Sequence, residues 1–146
     1  MSASNAATKM IFVNLPVRNL PRAKAFYEAI GFTNNAMFTD DTAACMVWSD
    51  AIHVMLLTHD KYKQFTSKEI ADTRKTSAAL LCLSQESRAA VDATVNNAVT
   101  AGAKEPRPAK DYGFMFQRTF DDLDGHGWEV VWMDLEAFKK AAGKAA

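Results

Sequence analysis

One carboxylate lies in a strand-like segment that is otherwise apolar. Glu129 belongs to Trp128–Met133, whose other five residues are all apolar. A strand of this composition is typical of burial on both faces, where a carboxylate is a candidate acid, base or ligand contact. We therefore predict Glu129 as a ligand-facing catalytic acid or base. The alternative is an exposed strand carboxylate.

Two further polar side chains interrupt apolar segments. Asn14 follows Phe12 by two residues and shares its face of a predicted strand, so we predict that Asn14 hydrogen-bonds a ligand. The alternative for Asn14 is a bond to neighbouring backbone. Arg118 interrupts the aromatic segment Phe114–Phe120, and its guanidinium is predicted to bind an anionic ligand or to pair with Glu129.

The histidines favour structural roles. Period-2 alternation places His53 on the strand face opposite to Leu56, and strand histidines are more often packing or surface residues than ligands. His126 lies in the turn Asp124–Gly127, where we expect exposure, and His59 is treated in the same way.

Composition and charge limit the partners. Lysine plus arginine equals aspartate plus glutamate at 17 each, so no net field favours nucleic acid or a membrane surface. Cys45 and Cys82 lie in apolar segments, which favours reduced, buried thiols. The start lacks the pattern of a signal peptide, and no segment approaches the roughly 18 apolar residues of a membrane span. We expect a cytoplasmic protein with a small-molecule ligand.

The elements that position these residues come in two copies of one unit. Met10–Val17 reads as a strand, Asn19 as the N-cap of a helix, and Gly31 as its stop. Ser77–Leu83, Ser84 and Gly102 repeat this order. Further strands follow each helix: Asn35–Phe38, Ala43–Trp48 and Ile52–Thr58, then a short piece near Lys104–Arg107, Phe114–Phe120 and Trp128–Met133.

The repeat predicts an α+β fold of two βαβββ modules. The alternative is a ferredoxin-like sandwich, which needs fewer strands than this chain offers. We place module 1 at about residues 10–60, a linker with at most one helical turn at 61–75, and module 2 at 76–134. Residues 1–9 are predicted to be disordered, and 135–146 to form a short helix, capped by Asp134, and a fraying tail.

Two motifs carry a family resemblance. Phe12–Leu20, followed by Ala25-Phe-Tyr27 and Ile30-Gly-Phe32, is similar to the opening of vicinal-oxygen-chelate proteins, which include glyoxalases, bleomycin-resistance proteins and extradiol dioxygenases. Asp122–Val131 resembles the Asp-Pro-Asp-Gly turn of that superfamily and the glutamate-bearing strand after it. The resemblance implies two modules whose curved sheets form a cleft with a divalent metal on four ligands, and a homodimer.

The residues at the four implied ligand positions depart from the family pattern. They are Phe12, Leu56, Ala78 and Glu129, and only the last can ligate a metal. The resemblance thus implies a binder without the metal or other cofactor, similar in principle to the bleomycin-resistance branch. The alternatives are a metal-dependent lyase or dioxygenase with rearranged ligands from His53, Cys82 or another subunit, and a partner-binding regulatory module.

Aromatic and methionine side chains predict an apolar, adaptable cavity. They are Phe12, Tyr112, Phe114, Phe116, Trp128, Trp132, Met55, Met115 and Met133. Alternation along the last strand puts Val131 on the face of Glu129 and sends the two tryptophans toward the helices or a partner subunit. The predicted ligand contacts are Phe12, Asn14, Leu56, Ala78, Tyr112, Phe114, Phe116, Arg118 and Val131.

Overall fold

The computed structural model describes residues 7–143 and divides into two compact units. Unit 1 ends at Ile70 and unit 2 begins at Ala71. Each unit contains one four-stranded mixed sheet, called sheet 1 and sheet 2 below, so the predicted α+β fold of two βαβββ modules is confirmed. Most of the predicted disordered segment 1–9 and the end of the predicted tail lie outside the described residues.

Unit 1 runs strand, helix, three strands. Its elements are β1 Ile11–Val17, α1 Leu20–Ala29, β2 Thr33–Asn35, a 3-10 turn Ala36–Phe38, β3 Ala43–Ser49, β4 Ile52–Thr58 and the short helix α2 His59–Tyr62. The sheet order is β1-β4-β3-β2, with β1 parallel to β4 and the other pairs antiparallel. The single helical turn predicted after β4 is α2.

Local signals explain where α1 begins and ends. The side chain of Asn19 accepts a hydrogen bond from the amide of Arg22 at 3.0 Å, which confirms the predicted N-cap. Gly31 follows the helix with φ of +113°, a conformation that favours glycine. The predicted strand Asn35–Phe38 is wrong beyond Asn35, because that side chain accepts from the amide of Met37 and starts the 3-10 turn.

Sheet 1 has a proximal face, which packs on α1, and a distal face opposite. The buried side chains Ala44, Met46, Val54 and Leu56 form the proximal face together with Leu15. The distal face includes Phe12, Asn14, His53 and Met55, because Phe12 is in register with His53 and Asn14 with Met55. The expected alternation of His53 and Leu56 is observed, but Phe12 shares its face with His53 rather than with Leu56.

Unit 2 repeats the order of unit 1. Its elements are β5 Leu80–Ser84, α3 Arg88–Thr100, β6 Lys110–Asp111, β7 Met115–Asp121, β8 Gly127–Met133 and α4 Leu135–Ala141. The sheet order is β5-β8-β7-β6, with β5 parallel to β8. The side chain of Asp134 accepts from the amide of Ala137 at 3.0 Å, so the predicted cap of the last helix is confirmed.

Three predictions for unit 2 need correction. Ala78 precedes β5 in an exposed bend, because that strand begins at Leu80. The N-cap of α3 is Ser87, whose hydroxyl accepts from the amide of Ala90 at 3.0 Å, whereas Ser84 ends β5. The short strand expected near Lys104–Arg107 is a single bridge at Lys104, and β6 forms instead at Lys110–Asp111.

Sheet 2 also has a proximal face, on α3, and a distal face. The buried side chains Leu83, Phe120, Trp128 and Val130 form the proximal face, which meets Val91 and Val95 of α3. Trp128 thus packs toward the helix, as predicted. The distal face carries Leu80, Cys82, Ser84, Gln117, Thr119, Asp121, Glu129 and Val131.

The turn before β8 is held by the first residues of unit 2. The hydroxyl of Thr73 donates to the carbonyl of Asp124 at 2.7 Å, and the Arg74 guanidinium donates to the carbonyl of Leu123 at 3.1 Å. His126 is buried in this turn, so its predicted exposure is wrong. The Asp-Gly pattern predicts the turn, but it does not predict that Thr73 and Arg74 pack against it.

No helix among residues 7–143 is both long enough and apolar enough to cross a membrane.

Candidate ligand-binding face

Three polar side chains form a row across the distal face of sheet 2. Cys82 on β5 is in register with Glu129 on β8, and Glu129 is in register with Thr119 on β7. Directly opposed side chains on neighbouring strands stand about 5 Å apart at Cβ, so a thiol, a carboxylate and a hydroxyl lie side by side. Cys82 is exposed, and Glu129 and Thr119 are half-buried. We call these three residues the central row.

The central row is not satisfied by hydrogen bonds within the described chain. Among residues 7–143, the carboxylate of Glu129 and the thiol of Cys82 have no hydrogen bond or ion pair. The hydroxyl oxygen of Thr119 is itself buried and has no hydrogen-bond partner there. Polar groups removed from water are normally paired, so the unpaired hydroxyl of Thr119 is unusual, while the half-buried carboxylate of Glu129 has free capacity for an added molecule.

Burial and charge shift two acidic groups on this face. The pKa of the Cys82 thiol is raised, first because burial disfavours the thiolate and second because the carboxylate of Glu129 is close. The pKa of Asp121, in line with Gly127 on the same face, is also raised by burial, and Lys104 partly offsets that shift. Burial is the first cause of both shifts.

On the proximal face, the polar residue Arg118 has hydrogen-bond partners, unlike the residues of the central row. Arg118 donates to both carboxylate oxygens of Glu105 at 2.9 and 2.8 Å, and to Asp92 and Asn96 of α3 at 2.9 and 3.0 Å. These bonds raise the pKa of Arg118, because they favour the guanidinium. The predicted pairing of Arg118 with Glu129 is wrong: the strand partner of Arg118 is Val130, whose side chain points to the face opposite Glu129.

Phe116, another predicted ligand contact, also lies on the proximal face. The guanidinium of Arg88 on α3 lies over the rings of Phe116 and Trp132, at 5.4 and 5.0 Å from their centroids. Arg88 also pairs with Asp111 on β6. Phe116 therefore serves the contact between α3 and the sheet. The sequence offered no signal for Asp92, Glu105 or Asp111 as the partners of these arginines, because each pair is distant along the chain.

A cavity of about 570 Å³ lies on the Arg118 side of unit 2. Its lining is Asp92, Glu105, Pro106, Arg107, Pro108, Ala109 and Arg118. We do not assign it as the ligand site, because the guanidinium and both oxygens of Glu105 are already engaged with each other and with α3. The distal face, although it is a sheet surface, has the unengaged groups.

The distal face of sheet 1 contains two predicted contacts, Phe12 and Asn14. The rings of Phe12 and His53 are stacked, with centroids 4.5 Å apart. Phe12 and Asn14 are exposed, whereas His53 is buried, and its Nδ1 has no hydrogen-bond partner among residues 7–143. Leu56 is wholly buried on the opposite, α1-facing side. The position on β4 beside Asn14 is Met55.

The remaining predicted contacts separate into two places. Val131 is half-buried on the distal face of sheet 2, two residues from Glu129. Tyr112 and Phe114 instead extend toward the last helix: their ring centroids are 6.2 Å apart, and Phe114 lies 5.3 Å from Phe138 of α4. Alternation within one strand placed Val131 correctly relative to Glu129. It cannot place Tyr112 and Phe114, because both precede the first residue of β7.

The donor groups present do not fit a metal held by four side chains. Within residues 7–143, no group of three or more His, Cys, Asp or Glu side chains lies close enough together to bind a metal ion. In the central row only Glu129 and Cys82 are donors of these types, and the neighbours Thr119 and Val131 are a hydroxyl and an alkyl group.

The family follows from comparison with known sequences. The model of the glyoxalase/bleomycin resistance protein/dioxygenase superfamily matches residues 9–130. The chain belongs to this superfamily. Both motifs that carry the resemblance, Phe12–Leu20 and Asp122–Val131, fall wholly or almost wholly within the matched range. No curated protein matches the sequence.

Solved structures share the fold at low identity. A hypothetical protein from S. aureus is 20% identical with a TM-score of 0.73, covering 87% of this chain and 95% of its own. A glyoxalase/bleomycin resistance protein/dioxygenase family enzyme from Burkholderia phytofirmans is 18% identical with a TM-score of 0.71, covering 86% and 99%. The fosfomycin resistance protein FosX from Mesorhizobium loti is 17% identical with a TM-score of 0.62, covering 93% and 98%.

Proposed function

We propose that this superfamily member binds a small, partly apolar molecule on the distal face of sheet 2, with Glu129 at the centre of the site and without a bound metal. The observation that carries the proposal is the central row of Cys82, Glu129 and Thr119, whose side chains have no hydrogen-bond partners within residues 7–143. Arg118 on the other face is fully engaged.

An unpaired polar group in a partly dehydrated place is unfavourable, by roughly 1–3 kcal/mol for a buried one. Stability alone therefore favours an apolar side chain at Thr119, whose hydroxyl oxygen is buried. That penalty is removed only when Thr119 rotates to turn its hydroxyl toward a ligand held by the carboxylate of Glu129. The polar row is thus better explained by binding than by folding.

Two apolar side chains flank the row, one on each side, and supply the contact for the apolar part of the ligand. Leu80 is 64% exposed at the start of β5, and Val131 is half-buried beyond Glu129. Ligand sites commonly combine such apolar surface with a few polar groups that fix orientation. The central row supplies those groups, with Glu129 as an acceptor and Thr119 as donor and acceptor.

The proposal is tested by metal analysis of the purified protein together with screening of neutral fragments by NMR. We expect substoichiometric divalent metal, and fragment-induced shifts at Cys82, Thr119 and Glu129 rather than at Arg118. Thr119→Val, which keeps the shape and removes the hydroxyl, should weaken binding, whereas Thr100→Val at the exposed end of α3 should not.

Two results would overturn the proposal in different ways. A tightly held stoichiometric divalent ion would favour a metal-dependent lyase or dioxygenase with rearranged ligands. Fragments that never shift the central row would favour a partner-binding regulatory module.

We also propose a homodimer, which is the assembly that the family resemblance implies. Its support in this chain is exposed apolar surface at an edge of sheet 1, where Ile11 on the edge strand β1 is 56% exposed. Unpaired strand edges with apolar side chains favour association. Sedimentation at micromolar concentration should give about twice the chain mass of 16.1 kDa. A single monomeric species across the concentration series would contradict the dimer.

A further inference from the structure

We infer that the ligand of the distal face presents N–H donors on a neutral or positively charged group, and that it is not a carboxylate or phosphate. The inference rests on the proposed function and specifies its chemistry. It depends on which kinds of hydrogen-bonding group the central row leaves unengaged, and on where the positive charges of unit 2 are placed.

Acceptors dominate the centre of this face. A carboxylate such as that of Glu129 accepts hydrogen bonds and cannot donate. It has no ion pair among the described residues, although unit 2 contains several cations. A ligand with an N–H group satisfies the carboxylate, whereas a carboxylate ligand would place two like charges together.

Four cations of unit 2, Arg88, Arg118, Lys104 and Lys110, are paired on the α3 side of sheet 2 or lie toward its β6 edge. Arg118 and Arg88 pair with acidic residues on the α3 side of the sheet. The backbone of Lys104 forms a β-bridge with Asp121, and its ammonium acts on the Asp121 carboxyl only electrostatically, by lowering its pKa. Lys110, in register with Gln117, is exposed on the outermost strand β6. None of these positions supplies an anion-binding group beside Glu129.

The geometry of the row favours a group with two donors. Glu129 and Thr119 are directly opposed on antiparallel strands, and the buried hydroxyl of Thr119 makes no hydrogen bond to that carboxylate. Since opposed Cβ atoms stand about 5 Å apart, one flat group with two N–H donors can bind the carboxylate of Glu129 and, once Thr119 rotates to expose its hydroxyl, that oxygen as well. Amidinium, guanidinium and primary carboxamide groups have this form.

Three probes that differ only in this group test the inference. Benzamidine, benzamide and benzoate share one ring and carry a cationic donor, a neutral donor and an anionic acceptor. Titration followed by NMR at residues 82, 119 and 129 should give a dissociation constant for benzamidine at least tenfold lower than for benzoate, with benzamide between them. Added salt should weaken the binding of benzamidine, because screening reduces attraction between charges.

Variants assign the preference to the row. Glu129→Gln should bring benzamidine and benzoate to within about threefold of each other. Thr119→Val should weaken benzamidine and benzamide at least threefold. The matched controls are Glu86→Gln and Thr100→Val, both exposed and away from the row. They should change neither the preference for benzamidine over benzoate nor the affinities for benzamidine and benzamide.

The outcomes separate this inference from the proposed function. If benzoate binds the row as tightly as benzamidine, or if Glu129→Gln retains the tenfold preference, the donor inference is wrong while a ligand site on this face stands. If none of the three probes shifts residues 82, 119 or 129, both proposals are overturned.

Discussion

The two faces of sheet 2 differ in whether their charged side chains have hydrogen-bond partners within the protein. On the proximal face, Arg118 makes four hydrogen bonds to Glu105, Asp92 and Asn96. On the distal face, Glu129 makes none within the described chain, although it lies on the strand next to β7, which carries Arg118. One sheet thus has a face where charge is neutralised internally and a face where it is left available.

The difference shows how a helix determines what a strand residue can do. α3 brings Asp92 and Asn96 to the guanidinium of Arg118, so this arginine contributes to the attachment of α3 and of the segment around Glu105. Strand alternation turns Glu129 away from α3 and from those partners. We expect substitutions on the proximal face to change stability, and those on the distal face to change binding and reactivity.

The largest expected effect comes from the turn that sets the register of β8, on which both faces depend. Gly125 has φ of +90°, and a Cβ there would lie 2.8 Å from backbone atoms of Thr73 and Arg74. Gly125→Ala should therefore lower the free energy of unfolding by about 3 kcal/mol, since strain and overlap add. Denaturant unfolding measures the change.

The control for this variant separates strain from overlap. Gly113 has φ of +80°, but no atom lies within 4 Å of the place that a Cβ would occupy, so Gly113→Ala introduces only the backbone strain. This substitution should lower the free energy of unfolding by about 1 kcal/mol. If both substitutions cost the same, the close contact of Gly125 with residues 73 and 74 does not contribute, and the turn is held less firmly than the structure indicates.

The second effect tests the internal pairing on the proximal face. Arg118→Met keeps the apolar stem and removes the guanidinium, leaving Asp92 and Glu105 without it. Since both carboxylates are partly exposed, we expect a loss of about 2 kcal/mol rather than the larger cost of a fully buried pair. Arg107→Met is the matched control, because Arg107 lines the same cavity but is exposed. Equal changes would refute the comparison of the two faces.

The sequence predicts the repeat and most strands because alternation and caps are local. Asn19, Gly31 and Gly102 mark the helix ends correctly, and Ile52–Thr58 is a strand over its predicted length. One error occurs where two local signals compete. Ser84 and Ser87 are both suitable caps, and the structure uses the second because β5 extends through the first.

The site is less predictable because it depends on pairing between distant segments. Glu129 and Val131 share a face by alternation within one strand, as predicted. Whether Leu56 shares a face with Phe12 depends on the register of β1 with β4. Counting from the sequence motifs put the two residues on one face, whereas the register puts them on opposite faces. Thr119 carried no local signal; only its register with Glu129 brings it into the row.

The smallest expected effect concerns the central row and leaves folding almost unchanged. Because the nearby carboxylate of Glu129 helps to raise the pKa of the exposed Cys82 thiol, Glu129→Gln should lower that pKa and increase the thiolate fraction at pH 7.5. Alkylation of Cys82 by iodoacetamide, followed by peptide mapping, should become about twofold faster. The rates should converge at pH values above both thiol pKa values. Glu86→Gln, the same charge change outside the row, should leave the rate unchanged; an equal acceleration there would mean that net charge, rather than the neighbouring carboxylate, controls this thiol.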